Sequence, residues 1–259
     1  MIRDTSVDAM NCSQDSRQMM FASHSDKANP RKILLPMFVV LFTFVIVIMS
    51  WSKLVPLIQA PVGSDMHWTG VDEQLISERM VARNGKNWNA SFTLSADDEK
   101  VLATLDIKLI QQDGVRTPEL DKRKQVWLQG IDDIWNNEFY LQLPDQRLIP
   151  VVLAVNFKSV NAHHEVVVRK GSSNPNQHNW YMNTNPTAVS HEIGHMLGAY
   201  DEYRNGATSP LPVTIKGVSL MGKLAGDGVP RVRHLHLLRD RLAEITGLAS
   251  LVIVQPGAE

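Results

Sequence analysis

Hydrophobic and polar positions divide the chain into four textures. Residues 1–32 are polar, rich in Ser, Asp and Asn and without a period, which predicts a disordered tail. Residues 33–52 are twenty positions without a charge, dense in Val, Phe, Ile, Leu and Met. As a helix they would rise roughly 30 Å, the hydrocarbon thickness of a bilayer. Pro36 falls in the first turn, where its missing N–H costs little. Residues 53–71 carry Pro56, Pro61, Gly63 and Gly70 and read as a linker. Residues 72–255 have the texture of a folded domain of ordinary single-domain size.

The charges around the apolar run give it a direction. Arg31 and Lys32 flank its near end and only Lys53 lies close on the far side, so residues 1–32 are expected in the cytoplasm. The folded domain is then extracytoplasmic, in the periplasm or outside the cell. A cleaved signal peptide fits less well: the polar stretch ahead of the run is long for one, and the small residue Ala60 is followed by Pro61. The expectation is a single-pass anchor retained in the membrane.

Within the domain, residues 101–110 alternate partially and predict a strand. Residues 119–139 predict an amphipathic helix with Val126, Ile131, Ile134 and Trp135 turned inward. The nearly continuous apolar run 148–157 predicts a central strand buried on both faces. Further strands are expected at 164–169 and 179–182. A helix should start near Pro186 with Asn185 or Thr184 as its cap and end at Gly198. A last helix is expected over 231–246, stopped by Gly247. The order implies an α+β or α/β domain with a small twisted mixed sheet and few helices.

Composition narrows the chemistry. With 44% hydrophobic and 20% charged residues and a net charge of -1, no basic stretch makes an electrostatic case for nucleic acid. The one cysteine, Cys12, excludes an intrachain disulfide and a cysteine-rich zinc site, so a metal would need His and carboxylate ligands. Six tryptophans and eleven methionines decide nothing at this level.

The predicted helix at 186–198 contains His191-Glu192-Ile193-Gly194-His195. Histidines four apart project from one helical face, one turn apart, and two imidazole nitrogens at that spacing can bind one Zn²⁺. Glu192 is offset around the helix, where it can act as general base without taking a ligand position. Gly198 allows a left-handed turn after the helix, from which Asp201 can swing back as third ligand, leaving an open position for water. Glu202 is the competing third ligand, or alternatively a partner that supports a ligand. Tyr200 and Tyr203 flank Asp201 and are either packing residues or oxyanion donors. His234, near the start of the last helix, is a further candidate to hydrogen-bond a tetrahedral intermediate, with a partly exposed surface histidine as the alternative. His236 reads as a surface residue, and His163 and His164 as a loop pair at a strand start.

The stretch His191-Glu192-Ile193-Gly194-His195-Met196-Leu197-Gly198-Ala199-Tyr200-Asp201 resembles the elongated zinc-binding consensus of metzincin-clan zinc metallopeptidases. More narrowly, it is similar to members with Asp in the third ligand position, as in the snapalysin-like enzymes. That resemblance implies a Met-turn, which falls on Met221 in Ser219-Leu220-Met221-Gly222, and a substrate-aligning edge strand, which falls on Trp180-Tyr181-Met182. Several families of the clan have a Tyr two residues after the Met; here position 223 is Lys.

The expectation is therefore a membrane-anchored zinc-dependent endopeptidase. Its metal would be held by His191, His195 and Asp201, with Glu192 and His234 as catalytic groups and protein or peptide as substrate. A peptidoglycan-cleaving zinc amidase or endopeptidase and a non-catalytic zinc-binding module are the alternatives. Retention of Glu192 argues against the last, since a closed structural site does not need it.

Overall fold

A computed structural model describes residues 68–211, 218–222 and 228–257. The expected tail, membrane anchor and most of the linker lie outside the described residues. Among those described, no helix is long and apolar enough to cross a membrane. Trp68 is buried and its indole N–H donates to the carbonyl of Asp97, so the folded unit takes in the end of the stretch expected to be linker.

The described residues form a mixed α+β fold: one curled, eight-stranded sheet with three helices. The strands are β1 (Val71–Val81), β2 (Asn87–Ala96), β3 (Val101–Gln111), β4 (Tyr140–Gln142), β5 (Leu148–Phe157), β6 (His164–Arg169), β7 (Asn179–Tyr181) and β8 (Val252–Val254). Their order is β1-β2-β3-β5-β4-β8, with β6 and then β7 joined to β3. The β1, β2 and β3 neighbours are antiparallel, β3 runs parallel to β5 and β6, and β4 is antiparallel to β5 and β8.

The hairpin of β1 and β2 precedes the first strand expected from sequence. It closes at Gly85 (φ 82°), with the N–H of Gly85 on the carbonyl of Ala82 and that of Ala82 on Lys86. Most side chains of β1 are exposed, apolar Leu75 and Val81 among them, so its sequence carries no clean alternation. β3 then passes from one neighbour to the next. Its register with β2 covers Val101 to Thr104, and β6 pairs with it from Ile107 onward. His163 and His164 stitch this junction: His163 accepts from the N–H of Asp106 and contacts Thr93 Oγ1 at 3.0 Å, and His164 Nε2 lies 2.8 Å from the carbonyl of Ser91. The pair expected to be a loop feature is thus a seam in the sheet.

Helix α1 (Thr117–Trp135) buries Leu120, Trp127, Ile131 and Trp135. Val126, expected inward, is 45% exposed, because Trp127 next to it occupies the inward position. The helix stops before the expected residue 139. Asn136 leaves helical geometry, and its side-chain amide brackets the backbone of Leu153, donating to the carbonyl at 3.1 Å and accepting from the N–H at 2.8 Å. β5 is not buried on both faces: Ile149, Val151 and Leu153 are buried while their neighbours alternate toward partial exposure. Helix α2 (Pro186–Met196) crosses the core, with every residue from Val189 to Met196 buried. A 3-10 turn (Val232–Leu235) leads into α3 (His236–Thr246), which Gly247 ends in the left-handed conformation (φ 70°) as expected.

Candidate metal centre

Helix α2 begins as the sequence predicts. The Asn185 side chain accepts from the N–H of Ala188 at 2.7 Å, satisfying one of the free donors of the first turn, and Pro186 occupies the position where no N–H is needed. Thr184 is not the cap; its hydroxyl receives the N–H of Tyr181. The helix ends at Gly198, whose φ of 97° an L side chain rarely adopts. A Cβ there would also stand 2.8 Å from Leu237 Cδ2. The left-handed residue reverses the chain and returns Asp201 toward the helix it has just left.

His191 and His195 share the face of α2 that meets Asp201. Asp201 Oδ1 lies 3.2 Å from His191 Nε2 and 3.3 Å from His195 Nε2. These three atoms can all act as ligands and lie within 4.8 Å of one another. Each imidazole is oriented from behind. His191 Nδ1 is 2.8 Å from the carbonyl of Leu220, and His195 Nδ1 is 2.9 Å from that of Ala199. A carbonyl only accepts, so both Nδ1 atoms carry a proton, and Nε2 is on each ring the atom free to bind a metal. Backbone partners of this kind fix the tautomer and ring plane of metal-binding histidines.

Asp201 is held by its own loop. Its N–H donates to the carbonyl of Ala207 and its Oδ2 accepts from the N–H of Ala207 at 2.5 Å. Its Oδ1 is buried without a hydrogen-bond donor. Three atoms that can act as ligands therefore converge, and a cation bound between them would take the place of the proton that the Asp201 carboxylate favours on His191. Tetrahedral coordination at about 2.0–2.1 Å would set ligand atoms about 3.3 Å apart, which the two measured separations match. The buried His-His-Asp group can hold a metal ion.

The electrostatics reflect how closely the three groups approach one another. Burial opposes protonation of His191, but the carboxylates of Asp201 and Glu192 prevail and raise the imidazole above its ordinary value. Burial would raise the Asp201 carboxyl, yet the two imidazoles and the Ala207 N–H hold it well below the usual carboxylate range. Glu192, also buried, is pushed up by desolvation against the lowering pull of His191 and His195. The Tyr203 hydroxyl is pushed up to about 12, first by burial and then by the nearby Asp201 and Glu192 carboxylates. It therefore stays a neutral donor across the working pH range. The Tyr203 ring centre is 6.4 Å from that of His191.

Met221 lies in the turn Ser219-Leu220-Met221-Gly222, closed by the N–H of Gly222 on the carbonyl of Ser219. It packs directly under α2: a Cβ on Gly194 would stand 2.6 Å from Met221 Sδ. The same turn supplies the Leu220 carbonyl behind His191, so one short segment both floors the helix and orients a ligand. Lys223 lies outside the described residues.

Other expected residues go elsewhere. Glu202 turns away from the imidazoles and pairs with Arg233, so Asp201 is the carboxylate that faces them. His234, expected as a catalytic donor, is fully buried and spends both ring nitrogens. Its Nδ1 accepts from the N–H of Arg231, and its Nε2 meets Ser219 Oγ at 3.2 Å and Glu202 Oε1 at 3.3 Å. The turn around Val232–Leu235 directs it into this polar cluster and not onto the His191, His195 and Asp201 group. Tyr200 packs between Trp88 and His236, stacking on the latter at 5.7 Å, and His236 is partly exposed, as expected, in the wall of a cleft. Strand β7, expected to align substrate, is three residues long and parallel to β6, with Trp180 buried. A cleft of about 1070 Å³ is lined by Asp201 and Tyr203 but by none of His191, Glu192 and His195, and Arg83, Arg204 and Arg239 form part of its wall.

Tryptophan carried a signal that composition did not reveal. Three indoles donate to the backbone along α2: Trp127 to Thr184 just ahead of it, Trp135 to Ser190 within it, and Trp88 to His195 at its end. Comparison with protein-family models, with curated proteins and with solved structures finds no match for this chain.

Proposed function

We propose that the chain is a zinc-dependent peptidase of metzincin-like design, with His191, His195 and Asp201 as ligands and Glu192 as general base. The observation that carries the reading is the convergence of the His191 and His195 Nε2 atoms on Oδ1 of Asp201, with Glu192 buried beside them. Two neutral imidazoles and one carboxylate suit zinc in a three-ligand, open site, which is the catalytic and not the structural pattern. Zinc bound there would supply Lewis acidity, lowering the pKa of a coordinated water and polarising a scissile carbonyl.

The chain's own residues would do the rest. Glu192 takes the proton of the attacking water and returns it to the leaving nitrogen; its raised carboxyl pKa suits both transfers. The neutral Tyr203 hydroxyl beside Asp201 is the candidate donor to the developing oxyanion, the part first sought in His234. Leu220 and Ala199 hold the imidazoles by their carbonyls, and Met221 floors the helix. Residues 33–52 would anchor the domain in a membrane, with protein or peptide presented on the extracytoplasmic side.

The test is hydrolysis of an unfolded casein-type protein by the full chain. Cleavage is expected to stop with chelator, to return with zinc, and to fall at least about 1,000-fold in Glu192→Gln, which loses its general base while retaining the ligands. A zinc-loaded chain that cleaves neither that protein nor peptidoglycan would be a metal-binding module and not a hydrolase.

A further inference from the structure

We infer that Glu202 and Arg233 form a latch that holds the third ligand in place, so that metal affinity of the folded chain depends on a pair that touches no metal. The inference rests on the reading of His191, His195 and Asp201 as ligands.

Asp201 sits at the start of a loop that folds back on it. Its own hydrogen bonds all go to Ala207, six residues on. The far side of the loop is tied to the β1–β2 hairpin, where the Asn84 amide donates to the carbonyl of Gly206 and the Arg83 N–H to that of Thr208. Its near side is tied by the next residue. The Glu202 N–H donates to the carbonyl of Met221 at 2.8 Å, joining the loop to the turn beneath α2. The Glu202 carboxylate is only 7% exposed and is engaged on both oxygens by Arg233, through Nε on Oε1 and through Nη2 on Oε2 at 2.8 Å. His234 Nε2 approaches the same Oε1.

Arg233 is itself fixed to that turn by its neighbours. The Arg231 guanidinium donates twice to the carbonyl of Val218, at 3.0 and 3.3 Å, and His234 meets Ser219 Oγ. The loop carrying Asp201, the turn orienting His191 and the start of α3 therefore close on one forked ion pair. A forked Arg–carboxylate pair fixes orientation as well as energy, which a point charge does not. A buried pair of this kind is a poor source of net stability, since desolvation offsets its attraction. Its value here is where it leaves Asp201 Oδ1.

A structural pair and a latch differ in what they move. Loss of a purely structural pair lowers the unfolding midpoint and leaves the affinity of the folded protein alone. Loss of a partner that orients a ligand weakens the affinity itself, commonly by about 10–100-fold. The experiment measures zinc affinity of the full chain by competition with a chromophoric chelator, at a temperature where each metal-free variant is folded by near-ultraviolet circular dichroism. Arg233→Gln is expected to bind zinc about 10–100-fold more weakly. Arg233→Lys, which keeps the charge and loses the fork, should fall between it and wild type. Glu202→Gln keeps the side-chain shape and carries the test if Arg233→Gln does not fold. Arg241→Gln breaks two other ion pairs on the same stretch of chain, to Glu78 and Glu244, and should lower the unfolding midpoint without changing affinity. Wild-type affinity in folded Arg233→Gln or Glu202→Gln would overturn the latch. An equal loss in Arg241→Gln would also overturn it, as a general effect of stability. A wild-type chain that binds no zinc would overturn the ligand assignment and the latch together.

Discussion

Trp88 donates its indole N–H to the carbonyl of His195 across 2.8 Å, joining β2 to the end of the helix that carries both imidazoles. The same indole ring packs edge-on against the His195 imidazole at 5.5 Å. A residue in an early hairpin thus braces the second ligand from the backbone side and from the ring side. Trp88→Phe keeps most of the volume and removes the donor. Because the His195 carbonyl still accepts from the N–H of Gly198, the cost is that of one net hydrogen bond with some lost packing, about 1–2 kcal/mol. Urea unfolding of the zinc-free protein should report that loss, and an unchanged midpoint would remove Trp88 from the account.

Gly194 and Met221 meet without room for a methyl group. In Gly194→Ala the new Cβ would fall 2.6 Å from Sδ, so overpacking should destabilise the fold by about 1–3 kcal/mol. Shortening the partner in Gly194→Ala/Met221→Ala should recover part of the Gly194→Ala penalty, giving a negative coupling in a double-mutant cycle by denaturant unfolding. Strictly additive losses would mean that the two residues do not press on each other.

The helix and its ligands were legible in the sequence for local reasons. Asn185 and Pro186 start α2, Gly198 ends it, and His191 and His195 share a face by helical period alone. Asp201 over Glu202 was favoured by spacing and resemblance alone, since adjacent carboxylates differ only in which way the loop turns them, and that is decided by distant Ala207 and Arg233. His234 misled because its burial depends on the 3-10 turn leading into α3. The β1 strand escaped because its pattern is mostly polar, although Asn84-Gly85 was a usable hairpin signal. Val126 and Trp127 show the limit of periodicity: neighbouring apolar residues compete for one inward position, and the larger ring took it.

The seam between β2 and β6 makes stability depend on pH. Burial lowers the His164 imidazole to about 4, against the raising influence of the Ser91 carbonyl. In the unfolded chain it titrates near 6.5. Between these values the unfolded state binds more protons, so stability is full above about pH 6.5 and is lost as pH falls toward 4. Discounted for partial exposure, the loss is about 1–2 kcal/mol. His164→Gln, which can still donate to Ser91, should show a shallower decline between pH 7 and 4.5 in chelator. Parallel declines for the two proteins would contradict the assignment.

Bound zinc should stabilise the chain by mass action, about 2.7 kcal/mol at one hundred times the dissociation constant. Chelator should therefore lower the thermal midpoint of wild type and leave that of His195→Ala unmoved. An equal response in the two proteins would put the metal elsewhere.

The most direct measurement is zinc bound per chain at equilibrium, with Asp201→Ala set beside Glu192→Gln. Wild type and Glu192→Gln should each bind a single zinc with similar affinity, since Glu192 is a base and not a ligand. Asp201→Ala should lose affinity by on the order of 100-fold or more, since a ligand atom is gone. Undiminished binding by Asp201→Ala, or loss in Glu192→Gln with Asp201→Ala intact, would contradict the centre built from His191, His195 and Asp201.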